Sequence, residues 1–220
     1  MRRARLGGVV AVLSLALVTS AQAQSQAQEG ATAADDPGVV SAAWMERDVT
    51  LHYTGFTSYY SCEGLRGKVR RILQELGARP GYTVTTRNCF KQSGPEWSPS
   101  VRIVAALPVE ATPEVLAKLA SDASKRELVA RVQGKSPEEA TAQFPARPKR
   151  VEFVSGGMGV LQDGDCELME QMRDRVFGPL GVKVIDSNLR CVPRQVSINS
   201  IRMTVEVLEP VPTPNPTPAT

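Results

Sequence analysis

The sequence predicts an α+β protein built from two tandem strand-helix-strand-strand repeats, with strands in antiparallel sheet and helices on one face. Three observations point there. Two segments about a hundred residues apart, "SCEGLRGKVRRILQELGARPGYTVTTRNC" and "DCELMEQMRDRVFGPLGVKVIDSNLRC", each run from cysteine to cysteine through a helix-like and then a strand-like stretch. Their apolar residues keep the same phase after the first cysteine: Leu65 with Met169, Ile72 with Val176, Leu73 with Phe177 and Leu76 with Leu180. Further on, "SVRIVAALPVE" parallels "SIRMTVEVLEP". Shared cysteines, helix phase and strand starts together favour duplication.

Each element has its own local reason. The spacing after Cys62 and Cys166 is one face of an amphipathic helix. Gly77 and Gly181, at matching places, suit a helix C-cap. Pro179 should distort the last turn of the second helix. Tyr82, Val84 and Thr86 alternate with polar neighbours before Cys89, as a half-buried strand does; "VKVIDSNLRC" is rougher. Val101, Ile103, Ala105 and Leu107, and Ile201, Met203, Val205 and Val207, alternate cleanly. A strand over Val49–Phe56 precedes the first helix and one over Arg150–Gly156 the second. Thr112-Pro113 is a helix start, Thr as N-cap and Pro at the first helical position.

The expected organisation is a leader at 1–23, a lead-in at 24–38, a first repeat at 39–110, a partly helical connector at 111–148, a second repeat at 149–209 and a Pro/Thr-rich tail at 210–220. Arg2, Arg3 and Arg5, the apolar run Leu6–Val18 and Ala21-Gln22-Ala23 form a secretory signal, with cleavage expected after Ala23. The apolar run is too short for a membrane anchor. No cysteine stands at the cleavage point, which argues against a lipoprotein. The chain has 26 Lys and Arg against 23 Asp and Glu. Losing the three leader arginines balances the mature chain, which leaves no electrostatic footprint for nucleic acid.

Four cysteines in an exported chain imply two disulfides, and three pairings are open. Lengths choose among them. A helix over Cys62–Gly77 is about 24 Å long. A strand back over Tyr82–Cys89 covers about 26 Å. Cys89 therefore returns to the level of Cys62, and the same estimate returns Cys191 to Cys166. Pairings 62–89 and 166–191 each close a loop of roughly 25–28 residues, stabilising by about 3 kcal/mol in the chain-entropy view.

Chemistry is sparse. His52, inside the first strand, is either a general base or a structural strand residue. With that one histidine and paired cysteines, no zinc site or other metal site is expected, and no cofactor is implied. The chain has no G-x-S-x-G, P-loop or dinucleotide fingerprint. "SGGMG" (Ser155–Gly159) reads as a turn. "DGDCE" resembles part of a calcium loop but lacks its glycine and distant glutamate. Asp165 and Glu167 near a helix start are read instead through capping and the helix dipole, with Glu63 in the matching place of the first copy. Arg102 and Arg202 hold equivalent strand positions, and a pseudo-twofold would bring them together as an anion site; the alternative is two exposed strand arginines.

"HYTGFTSYYSCEGLRGKVRRILQELGAR", "DCELMEQ" and "CVPRQ" resemble a group of uncharacterised exported proteins of Gram-negative bacteria with duplicated disulfide-containing repeats. The resemblance covers most of the mature chain and all four cysteines. It implies export and the duplicated layout, and carries over no catalytic residue. The second copy departs from it around 146–150, where no tryptophan stands in the place of Trp44. The leading expectation is a periplasmic or secreted protein without enzymatic activity that binds an envelope or extracellular protein partner or supports the envelope. A small-ligand binder or enzyme using a groove between repeats, with His52, Arg102 and Arg202, is the second reading. A thiol redox protein, suggested by cysteines at helix starts, is the third.

Overall fold

The computed structural model describes residues 38–89, 94–96, 98–123, 127–128, 131–132, 142–156, 159–196 and 198–212. The leader, nearly all of the lead-in, the tail from 213, part of the connector and part of "SGGMG" lie outside the described residues.

The described chain is α+β. Strands β1 (Val40–His52), β2 (Thr83–Arg87), β3 (Ser100–Glu110), β4 (Gln143–Val154), β5 (Lys183–Leu189) and β6 (Ile201–Pro210) form one sheet in the order β2-β3-β1-β4-β6-β5. Every pairing is antiparallel. Helix α1 spans Cys62–Glu75 and α2 spans Pro113–Ser121. Helix α3 (Cys166–Met172) runs on through a π turn (Arg173–Phe177) into α4 (Gly178–Leu180).

The two central strands start earlier than alternation alone indicated. β1 begins at Val40, not Val49, and ends at His52, where residues 53–60 leave the sheet as a loop. β4 begins at Gln143, inside the expected connector, and ends at Val154. Its prolines hid it, since proline cannot donate to a ladder. Here they cost nothing. Val211 donates to the Pro145 carbonyl (2.9 Å), so Pro145 faces β6 where that strand has already ended. Alternation then turns Pro148 to the opposite side, past Val40, where β1 has not yet begun. Pro108 on β3 faces β2 beyond its Thr83–Val104 pair in the same way.

β1 and β4 bond only through Val40–Ala43 against Gln143–Ala146. The junction between halves 40–110 and 143–210 is thus short, and side chains hold the rest. The inward residues Leu51, Ile103, Phe153, Met203 and Val205 meet Leu65, Val69, Ile72 and Leu73 of α1 and Leu168, Met169, Met172, Val176 and Phe177 of the second helix in one core. Each such side chain contributes about 1.5–3 kcal/mol on burial. Helix α2 covers Ala43 and Met45 with Leu119, and Thr112 caps it by accepting from Val115 N (3.4 Å).

Local chemistry sets the ends. Ser61 Oγ accepts from Gly64 N (3.1 Å) to start α1. Both long helices end in the same pair of bonds: Ala78 N to Leu73 O (3.0 Å) with Gly77 N to Gln74 O (3.0 Å), and Val182 N to Phe177 O (2.9 Å) with Gly181 N to Gly178 O (3.0 Å). That motif needs a left-handed residue, and Gly77 (φ +75°) and Gly181 (φ +83°) provide it. Pro179 cannot donate to the Arg175 carbonyl, and the wide turn over Arg173–Phe177 precedes it. A bulge between Val184 and Asp186 accounts for the rough alternation of β5.

The two caps predict unequal losses. Gly77→Ala meets no atom within 4 Å and should lose only the left-handed cost, about 1–2 kcal/mol. Gly181→Ala should lose more, because its Cβ also comes 3.0 Å from Val109 Cγ1. Urea unfolding of both variants measures the difference.

Candidate functional site

Two polar clusters stand out, one closed and one open. The closed one begins at Tyr53. Gly55 lets the chain turn tightly, since a Cβ there would sit 2.3 Å from both Ser58 O and the Tyr53 hydroxyl. The Tyr53 hydroxyl donates to Ser58 O (2.7 Å). Its ring meets Tyr60 edge-on at 5.1 Å. The loop so shaped presents backbone N–H groups to the start of α3, over a hundred residues away.

Glu167 receives them. Phe56 N and Thr57 N donate to its Oε2 (2.8 and 3.0 Å), and Thr57 Oγ1 donates to its Oε1 (3.1 Å). One helical turn on, Gln171 takes the Thr54 N–H (3.1 Å) and donates to the Thr54 carbonyl (2.8 Å), as a neighbouring strand would. Arg194 N donates to Thr57 Oγ1 (2.9 Å). Behind them Asp165 accepts from Tyr60 on one oxygen, and on the other from Gln162 N (2.6 Å) and Lys68 Nζ (2.7 Å). Lys68 also donates to Val160 O (3.2 Å). The Lys68–Asp165 pair is buried, with side chains 11% and 4% exposed. Burial first, and the nearby carboxylates second, push the Tyr53 and Tyr60 phenols well above their ordinary range.

Glu167 lies in the first turn of α3, where the helix dipole favours an acid, but its carboxylate makes none of the helix's cap bonds. Asp165 does serve the helix start through Gln162 N, but Glu167 binds the loop of the other half. The void beside Glu167, lined also by Thr57, Asp163, Val192 and Gln195, is only about 10 Å³. Sequence reasoning missed Lys68, Tyr60, Thr57 and Gln171. A faint signal existed: Glu167 and Gln171 are polar residues four apart beside the apolar Leu168 and Met172, and they share a helix face.

Disulfides Cys62–Cys89 (Cα–Cα 6.0 Å) and Cys166–Cys191 (5.4 Å) each join a helix start to the chain after a returning strand, within one half. No described cysteine is free.

The open cluster lies on the sheet face opposite the core. Thr50, His52, Arg87, Asn88, Ser100 and Arg102 line a cavity of about 250 Å³ there. Asp48 binds Arg102 through Nε (2.9 Å) and Nη2 (2.5 Å). That hydrogen bond chiefly holds the Asp48 carboxyl below its usual range, and Arg87 adds to the effect. His52 is exposed at the end of β1, and its carbonyl accepts from Arg175 Nη1 (3.1 Å). Arg202 is elsewhere: on β6 it stands opposite Val154 and Asn188, with β1 and β4 between it and β3, and it does not line this cavity. Among the described residues no three His, Cys, Asp or Glu side chains gather to hold a metal ion, and no helix is long and apolar enough to cross a membrane.

No family model, curated protein or solved structure matches the chain.

Two outcomes follow from the closed cluster. A raised phenol pKa means that the folded chain keeps protons which the unfolded chain releases above about pH 10, the ordinary tyrosine value. Stability should therefore be unaffected by these groups below pH 10 and fall above it. Phenolate absorbance should show Tyr53 and Tyr60 ionising only as the chain unfolds. Lys68→Met strands a buried carboxylate and should cost about 3–5 kcal/mol. Adding Asp165→Asn should return part of that loss, read by a double-mutant cycle in urea.

Proposed function

We propose that the chain is an exported, disulfide-stapled protein without enzymatic activity that binds a partner in, or supports, the bacterial envelope. One observation carries this reading. The clustered ionisable side chains Asp165, Glu167, Lys68 and Tyr60 are already committed to joining the halves, and the void beside Glu167 is only about 10 Å³. A general acid or base needs room for substrate beside it. The paired cysteines and the signal-like residues 1–23 are compatible with the periplasm or the extracellular space.

The same reading takes the chain as two tandem repeats. The sheet order supports it, since β1 and β4 lie at the centre, β3 and β6 next, and β2 and β5 at the edges, as a twofold between β1 and β4 would arrange them. The matched glycine caps and the two local disulfides support it as well. Small-ligand binding is the second reading, favoured by the cavity at His52 and Arg102.

Expression of the full chain in a Gram-negative host tests the proposal. A periplasmic product starting at Gln24, with both disulfides resisting mild dithiothreitol, is expected. A cytoplasmic chain still starting at Met1 would overturn export, and one readily reduced disulfide would bring redox chemistry forward instead.

A further inference from the structure

We infer that the cavity on the open sheet face is a binding site for a phosphate group, with Arg87, Arg102 and His52 as its principal contacts. The inference goes beyond the proposed function and does not depend on export or duplication. Three strands supply the lining: Thr50 and His52 from the end of β1, Arg87 with the following Asn88 from β2, and Ser100 and Arg102 from β3.

The cavity is shaped before any ligand arrives. Asp48 engages Nε and Nη2 of Arg102, which orients the guanidinium and leaves Nη1 uncommitted to that carboxylate. Asn88 adopts a left-handed backbone (φ +59°), which turns the chain directly after Arg87. The next residue, Cys89, is bonded to Cys62 at the start of α1, so the Arg87 end of β2 is tethered. At the other wall, Arg175 holds the His52 carbonyl. Ser100, opposite His52 in the β1–β3 register, is 4% exposed.

Charge and donor count select the ligand. Two guanidiniums face one carboxylate, so the site carries net positive charge without any contribution from His52. Guanidiniums, imidazole, two hydroxyls and an amide offer more donors than the two oxygens of a carboxylate can use. A phosphate monoester, with three strong acceptor oxygens and close to two negative charges, fits that supply. The volume of about 250 Å³ leaves room for a small organic group attached to it. Arg202, the symmetry counterpart of Arg102 in the sequence, takes no part.

The test uses the full oxidised chain and isothermal titration with inorganic phosphate at low ionic strength. A Kd of about 1 mM or tighter is expected, weakening as salt is added. Arg87→Gln should weaken binding about five- to tenfold by removing one charge-assisted contact. Arg102→Gln should weaken it more, because Asp48 is then unopposed beside the ligand. Asp48→Asn removes the opposing charge while its amide oxygen can still accept from Arg102, so it should tighten binding, a change of sign that a merely structural ion pair would not give. Circular dichroism establishes that each variant is folded. A second arm separates the sources of phosphate. Sedimentation with vesicles containing phosphatidic acid, whose headgroup is a phosphate monoester, reversed by inorganic phosphate, identifies a lipid headgroup; titration by phosphate without vesicle binding identifies a soluble ligand. Absence of both, or binding that Arg87→Gln, Arg102→Gln and Asp48→Asn leave unchanged, overturns the site.

Discussion

The buried charges around Asp165 are the constraint on which the arrangement of the two halves depends. Taking Lys68 and Asp165 out of water is expensive, and their attraction offsets that only if the remaining hydrogen-bonding capacity is met. Here it is met from several directions, by Tyr60, by Gln162 N and by the Val160 carbonyl. These partners come from both halves. A small shift of α3 against α1 would open several of the bonds at once, so the network defines one position for the helices. Glu167 and Gln171 extend the same logic, because the backbone of 54–57 has no strand beside it and relies on those side chains for its hydrogen bonds.

The covalent and non-covalent devices divide the labour. Each disulfide closes a loop within its own half, so it lowers the entropy of the unfolded chain locally and says nothing about how halves meet. The β1–β4 ladder joins them through only four residue pairs. Orientation must then come from the shared core and from the interlock of 53–60 with 162–171 and 191–195. It follows that the stretches "HYTGFTSYYSC", "DCELMEQ" and "CVPRQ" are not three separate features. Thr54, Phe56, Thr57 and Tyr60 of the first touch Asp165, Glu167 and Gln171 of the second and Arg194 of the third.

What was legible in the sequence was local or metrical. The helix phase after each first cysteine, the glycine caps and the Thr112-Pro113 start depend on neighbours within a turn or two. The cysteine pairings followed from comparing two lengths. The early parts of β1 and β4 were hidden because small residues (Ala42, Ala43) and prolines (Pro145, Pro148) blur the period of two, and only the ends of neighbouring strands explain why those prolines are tolerated. The loop contacts of Glu167 are not legible in the sequence, because an acid at a helix start has a sufficient local explanation and its partners Phe56 and Thr57 lie 111 and 110 residues away. Of the suspected ligand residues, His52 and Arg102 do share a cavity, but Arg87 was missed and Arg202 lies apart.

The Asp48–Arg102 pair on the open face contrasts with the buried one. Its side chains are 49% and 44% exposed, and an ion pair in that setting contributes little to stability because water and salt screen it. Geometry is another matter. A bidentate carboxylate fixes a guanidinium in direction as well as position, which is how binding sites hold their contacts ready. In the buried cluster the charged groups are hydrogen-bonded within the protein and the space beside Glu167 is closed, so that chemistry is structural. On the open face an oriented Arg102 and a tethered Arg87 border unfilled volume, so positive charge there is available to something other than the protein itself.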